Sequence, residues 1–200
     1  MQLNFIYSKI KEKQKLLNIY DEYQWFLDND FPVILPRFYS GLYNKYSNNK
    51  KQFAQAINKG LNKIYNKKVY RQKEAVIKNN WQKISQEVSD ILKNVKLNIK
   101  EKYVCNISLY GAEGQFQYPN IINLRLNAAK DLKWANETIV HELIHLLIYN
   151  QAKKLKLSYE QIEGVVDLFF TQTELKNIFP EYKMQSIAKH DKRMFGRIVK

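Results

Sequence analysis

The sequence predicts an α+β fold: a small mixed or antiparallel sheet with one central helix, preceded by an all-helical N-terminal half. Three observations predict it. Apolar residues recur at helical spacing among lysines through the first hundred positions. Near residue 103 the texture changes to a short run of β-branched and aromatic residues. Two strongly apolar helical segments then follow one another after residue 136.

In order along the chain, residues from about 5 to 28 set Ile6, Ile10, Leu16, Leu17, Tyr20, Trp25 and Phe26 on a helical repeat. Asp28-Asn29-Asp30, Pro32 and Pro36 break it. A shorter helix is expected from Phe38 to Tyr46, and after Asn48 and Asn49 two more over about 50–66 and 70–95. Tyr103 to Tyr110, closed by Gly111, reads as a strand. Gly111, Gly114 and Pro119 punctuate a turn-rich stretch around Gln115-Phe116-Gln117, and Ile121 to Leu126 reads as a second strand. Asn136 is placed as the cap of a helix reaching about Lys154. Ser158 and Gln161 form a capping-box pattern for a helix through Phe170. A last helix is expected near 182–195, after Pro180.

Two hundred residues, 45% hydrophobic and 14% aromatic, suffice for a sizeable core. The chain divides at the change of texture into a helical region, 1–102, and a region of mixed strands and helices, 103–200, or runs as one continuous domain. No segment approaches the roughly 18 uninterrupted apolar residues of a membrane span. Met1-Gln2-Leu3-Asn4-Phe5 lacks signal-peptide texture, so the expected location is the cytoplasm. The single cysteine, Cys105, excludes an intrachain disulfide and a Cys-rich metal site, and its apolar context makes it a small core residue. The net charge of +14 is uneven: 20 Lys/Arg against 9 Asp/Glu in residues 1–102, and 13 against 10 in 103–200. A basic first half could meet an anionic partner such as nucleic acid or a membrane surface, although its lysines are scattered as on ordinary solvated helices.

The chemistry concentrates in Thr138-Ile139-Val140-His141-Glu142-Leu143-Ile144-His145. Residues four apart share one helix face, so His141 and His145 can aim their imidazoles at one point. Zinc accepts such nitrogens at roughly 2.0–2.1 Å. Glu142, beside the first histidine, can act as general base on a water activated there. Val140, Leu143, Ile144, Leu146 and Leu147 make the helix apolar nearly all round, which predicts burial. Two buried imidazoles without partners would be costly, and a metal satisfies both.

A third ligand is needed to leave one position open. The next apolar helix offers Glu163 and Asp167, four apart on one face. Glu163 is assigned as the third ligand and Asp167 as an acceptor that orients a ligating histidine. Glu160 is the alternative ligand, but acids in a first helical turn have an ordinary reason to be there.

The pattern His141-Glu142-x-x-His145 followed by Glu163-Gly164 and Asp167 resembles the gluzincin metallopeptidases, over roughly residues 103–170. The resemblance implies a zincin-like fold, one Zn²⁺ ion and a peptide or protein substrate. It also implies an edge strand, Gln115-Phe116-Gln117, along which an extended peptide lies antiparallel. Gluzincins bring a further His or Tyr to the oxyanion from well beyond the glutamate. The candidates here are His190, in a charged and exposed-looking context, and Tyr182. The expected function is a zinc metallopeptidase. The alternative is a basic nucleic-acid- or membrane-associated regulatory protein with a non-catalytic zinc site.

Overall fold

In a computed structural model, which describes residues 1–28 and 32–199, the four strands form one mixed sheet in the order β1-β2-β4-β3. The strands are β1 (Gln2–Ile6), β2 (Lys102–Ser108), β3 (Gly114–Gln117) and β4 (Ile121–Arg125). β1 and β4 flank β2 in parallel, and β3 closes one edge antiparallel to β4. The helices are α1 (Lys9–Asp28), α2 (Tyr39–Tyr46), α3 (Lys50–Ile64), α4 (Lys67–Asn94), α5 (Ala129–Lys154), α6 (Tyr159–Gln172), α7 (Leu175–Ile178) and α8 (Lys192–Ile198). The α+β class is as the sequence predicts. No helix among the described residues is long and apolar enough to cross a membrane.

The N-terminal half is not all-helical. Residues 2–6 form a strand, because Leu3 and Phe5 alternate inward while their backbone pairs with Tyr103 and Cys105 of β2. Helix α1 therefore starts at Lys9, where Ser8 Oγ accepts the Lys11 N–H. The Asn29-Asp30 step of the expected break lies outside the described residues.

Two further boundaries differ from expectation. Asn136 lies inside α5 rather than at its cap. The helix begins seven residues earlier, where the Asp131 carboxylate accepts the backbone N–H groups of Asn127 and Ala128. The C-terminal helix is confined to Lys192–Ile198, and Asp191 caps it. Residues 182–191 run as irregular chain, because their polar groups are drawn to α6 instead of to one another. The capping box at Ser158 and Gln161 forms as expected.

Burial explains the assembly. One core joins the sheet to α4, α5 and α6, with Tyr103, Cys105, Ile122, Leu124, Ile144 and Phe169 inside. Burial pushes the Cys105 thiol pKa up, so the thiol packs as a hydrophobe. A second cluster holds α1, α2 and α3 together around Leu16, Tyr39, Phe53 and Ile57. The segment after α1 is stitched to the start of β3's approach by paired backbone bonds between Ile34 and Gly111. Arg125, almost fully buried, donates to Gly111 O (3.2 Å) and meets Asp131 (3.4 Å), so one ion pair fixes the end of β4, the loop before β3 and the first turn of α5.

Glu12 of α1 is buried where it accepts the Leu109 N–H. Its carboxyl is pushed up to about 7 by burial, which hydrogen bonds and the Lys15 charge oppose only in part. A carboxyl with a raised folded-state pKa contributes stability that is complete below the ordinary value, near 4.5, and fades as pH rises through about 7. Glu12→Gln keeps an acceptor without the charge. Its Tm is expected to exceed the parent's by a few degrees at pH 8, about 2 kcal/mol, with the gap closing by pH 5. Thermal unfolding at both values checks this, and an equal gap at both would refute it.

Candidate functional site

Helix α5 supplies the centre of the site. It is buried along most of its length, so the fold fixes its rotation and leaves His141, Glu142 and His145 toward a cleft beneath β3. Helix α6 packs against it and brings up Glu163. His141 Nε2 and His145 Nε2 lie 3.1 Å apart. Each is 3.3 Å from one oxygen of Glu163. Ligand atoms bonded at about 2.0 Å around a tetrahedral ion are separated by about 3.3 Å. The two contacts use different oxygens of Glu163, and the three groups lie close enough together that they could hold one metal ion.

The electrostatics agree with a site built for a cation. Burial alone would raise the Glu163 carboxyl, yet hydrogen bonds from His141 and His145 outweigh it and hold it down to about 2. Burial lowers His141, but the Glu163 hydrogen bond and the charges of Glu142, Glu163 and Asp167 reverse the sign and raise it. His145 Nδ1 is buried with no hydrogen-bond partner. The ring is held by packing instead, stacked on Phe116 at 5.0 Å and 8°.

Glu142 faces the rim of the sheet. A Cβ on Gly114 would stand 2.5 Å from Glu142 Oε1 and 2.6 Å from Thr138 Cγ2. Glycine at that position lets the strand edge and the carboxylate share the space. Burial raises the Glu142 carboxyl above its ordinary value, against the pull of His141 and His145. Helix and strand advance together: Gly114 lies against Glu142, Phe116 against His145, and Tyr118 stacks on Tyr149. β3 is the sheet edge, and Gln115, Phe116 and Gln117 all line the cleft.

The cleft has a volume of about 1030 Å³. Its walls are β3, α5, the first turns of α6, one face of α1 from Lys11 to Phe26, and residues 182–187.

Asp167 acts on His141 through its charge but spends its hydrogen bonds elsewhere than on the two histidines, against expectation. Its carboxylate, fully buried, accepts the Tyr182 hydroxyl (2.6 Å), the Gln185 N–H (3.0 Å) and His190 Nε2 (2.7 Å). One turn beyond Glu163, α6 faces the 182–191 segment rather than α5, and that geometry redirects the carboxylate. The same segment closes on Gly164, where an added Cβ would stand 2.0 Å from Lys189 O, and Lys189 N–H donates to Glu160 O. Asp167 therefore anchors a cleft wall. Tyr182 lines that cleft with its hydroxyl committed to Asp167, and His190 is tied to the same carboxylate outside the lining.

The structure adds Tyr159, which sequence reasoning did not select. It lines the cleft one turn before Glu163. Its phenol is pushed up to about 12 by burial, by the Glu163 charge and by a hydrogen bond to that carboxylate. The four-residue spacing from Tyr159 to Glu163 was its available signal. Lys15, one of 33 basic residues, had none.

Compared with family models, with curated proteins and with solved structures, the chain matches none of them.

Two outcomes follow from this geometry. Zinc, used as the divalent probe, is expected to bind at one ion per chain and to raise Tm, by roughly 2.7 kcal/mol of stabilisation at a hundredfold excess over Kd. His145→Ala should abolish that increase; an unchanged zinc response in the variant excludes this trio. Asp167→Ala should cost roughly 2–4 kcal/mol and make residues 182–191 the first site of limited proteolysis. Unaltered proteolysis would exclude the anchoring role.

Proposed function

We propose that the protein is a zinc-dependent metallopeptidase of gluzincin type, with a zincin-like catalytic core. One observation carries the reading: two imidazole nitrogens and a carboxylate converge within reach of a single ion beside Glu142, in a cleft bordered by a strand edge. His141, His145 and Glu163 would hold the ion. Two imidazoles and a carboxylate with room for a fourth ligand suit catalytic zinc. When bound, zinc would polarise an amide carbonyl and acidify water.

The chain's own groups do the rest. The outer edge of β3 receives an extended peptide antiparallel, through backbone hydrogen bonds. Glu142, its carboxyl raised by burial, takes a proton from the attacking water and delivers it to the leaving nitrogen. Phe116 stacks on His145 and keeps bulk water from that side of the ring. Tyr159 lines the cleft beside Glu163 and is the nearest phenol to the carbonyl oxygen's expected place; to donate there as charge develops, it must turn its hydroxyl from the Glu163 carboxylate. Tyr182 and His190 hold the wall instead.

The test is Glu142→Gln. This variant should bind zinc as the parent does and lose turnover of peptide pools by roughly 10²–10⁴-fold, measured by mass spectrometry of products. Equal cleavage by parent and variant, or none by the zinc-loaded parent, would overturn the reading.

A further inference from the structure

Helix α1 belongs to the N-terminal cluster of helices, outside the part of the chain that carries the metal-site residues, yet one of its faces lines the cleft and Lys15 stands on that face. Lys15 runs its stem across Gly111: a Cβ there would stand 2.3 Å from Lys15 Cε. Gly111 is also at φ +101°, a conformation that disfavours any other residue. The loop is thus shaped around the lysine. Its ammonium lies near Ala112 O at 3.5 Å, the outer limit of a hydrogen bond. Among the described residues it forms no ion pair. Glu12, one turn away, is occupied by the Leu109 N–H and by Tyr70. Arg125 lies close enough to repel it. Burial lowers the Lys15 pKa to about 8, which leaves it charged at neutral pH. Glu12 and Glu142 both act on its charge, but neither carboxylate makes an ion-pair contact with it, so the ammonium keeps donors to offer an anion in the cleft.

Its place along the rim says which anion. Glu142 lies against Gly114, and Ala112 stands two residues earlier, just before β3 begins. A peptide antiparallel to β3 runs from Gln117 toward Gly114 and then Ala112. Its C-terminal side passes Lys15.

We propose that Lys15 is a specificity-determining residue that binds a carboxylate on the C-terminal side of the scissile bond. The chemistry is shared by two sources, a free peptide C-terminus and an Asp or Glu side chain. The inference rests on the peptidase reading for the direction of the substrate, and its test is built to fail separately from that reading.

The probes are fluorescein-labelled hexapeptide pools with randomised interiors. One pair ends in a free carboxylate or an amide; a second, amidated throughout, carries Glu or Gln at position five. Equilibrium binding is measured to zinc-loaded Glu142→Gln protein, which needs no turnover, and cleavage of the same pools by the parent is scored in parallel. A carboxylate member of at least one pair is expected to bind roughly tenfold tighter or more, as a charge-assisted bond would give. Adding Lys15→Met should bring the ratio to near one, and adding Lys15→Arg should retain part of it. The pair that shows the preference identifies the source of the carboxylate. No preference in the Lys15 protein, no binding of any pool, or a Lys15→Met variant that weakens both members equally, would overturn the proposal. Preference without cleavage would leave the anion site standing and remove the peptidase.

Discussion

The arrangement of α5 against α6 is set by a demand that neither helix can meet alone: buried His145 and Glu163 and the partly buried His141 satisfy one another only at a shared point. Apolar packing around that point does the holding. Val165, Val166 and Phe169 on α6, with Ile144 and Val140 on α5, belong to one core, so a rotation of either helix that misaligned the trio would also expose core surface. The strand edge is brought in by the same helix, since Gly114 and Phe116 pack on successive turns of α5.

The centre of the site was legible in the sequence because local periodicity fixes which residues share a helix face. His141, Glu142 and His145 needed only one turn of helix, and Glu163 needed one more apolar helix to follow. Asp167 shows where that reasoning ends. Its spacing from Glu163 gave the face correctly, but its partners, Tyr182, Gln185 and His190, come from irregular chain that carries no period. The same cause hid the 182–191 wall, which sequence pattern took for a helix.

The fold shows a parallel division. The α+β class, both central strands and the capping box at Ser158 followed from pattern. Strand β1 did not, because five residues with Leu3 and Phe5 inward fit the start of a helix as well as a strand. Only pairing with β2 decides between them. Asn136 failed for a related reason: a good capping residue lay inside a helix whose real start used Asp131, three residues in from Ala128. Lys15 was illegible altogether, since its meaning depends on Gly111 and on a loop almost a hundred positions away.

The pairing of β1 with β2 carries a consequence for how the protein reaches its native state. Gln2 meets Lys102 and Phe5 meets Cys105, so about 100 residues must be looped out before this ladder closes. Helices α1 to α4 fill that loop, and they can form early from local contacts. The sheet cannot, and α5 and α6 assemble on the sheet. The polar trio is therefore organised by a long-range closure joining the N-terminal strand to the middle of the chain, rather than by any segment folding on its own.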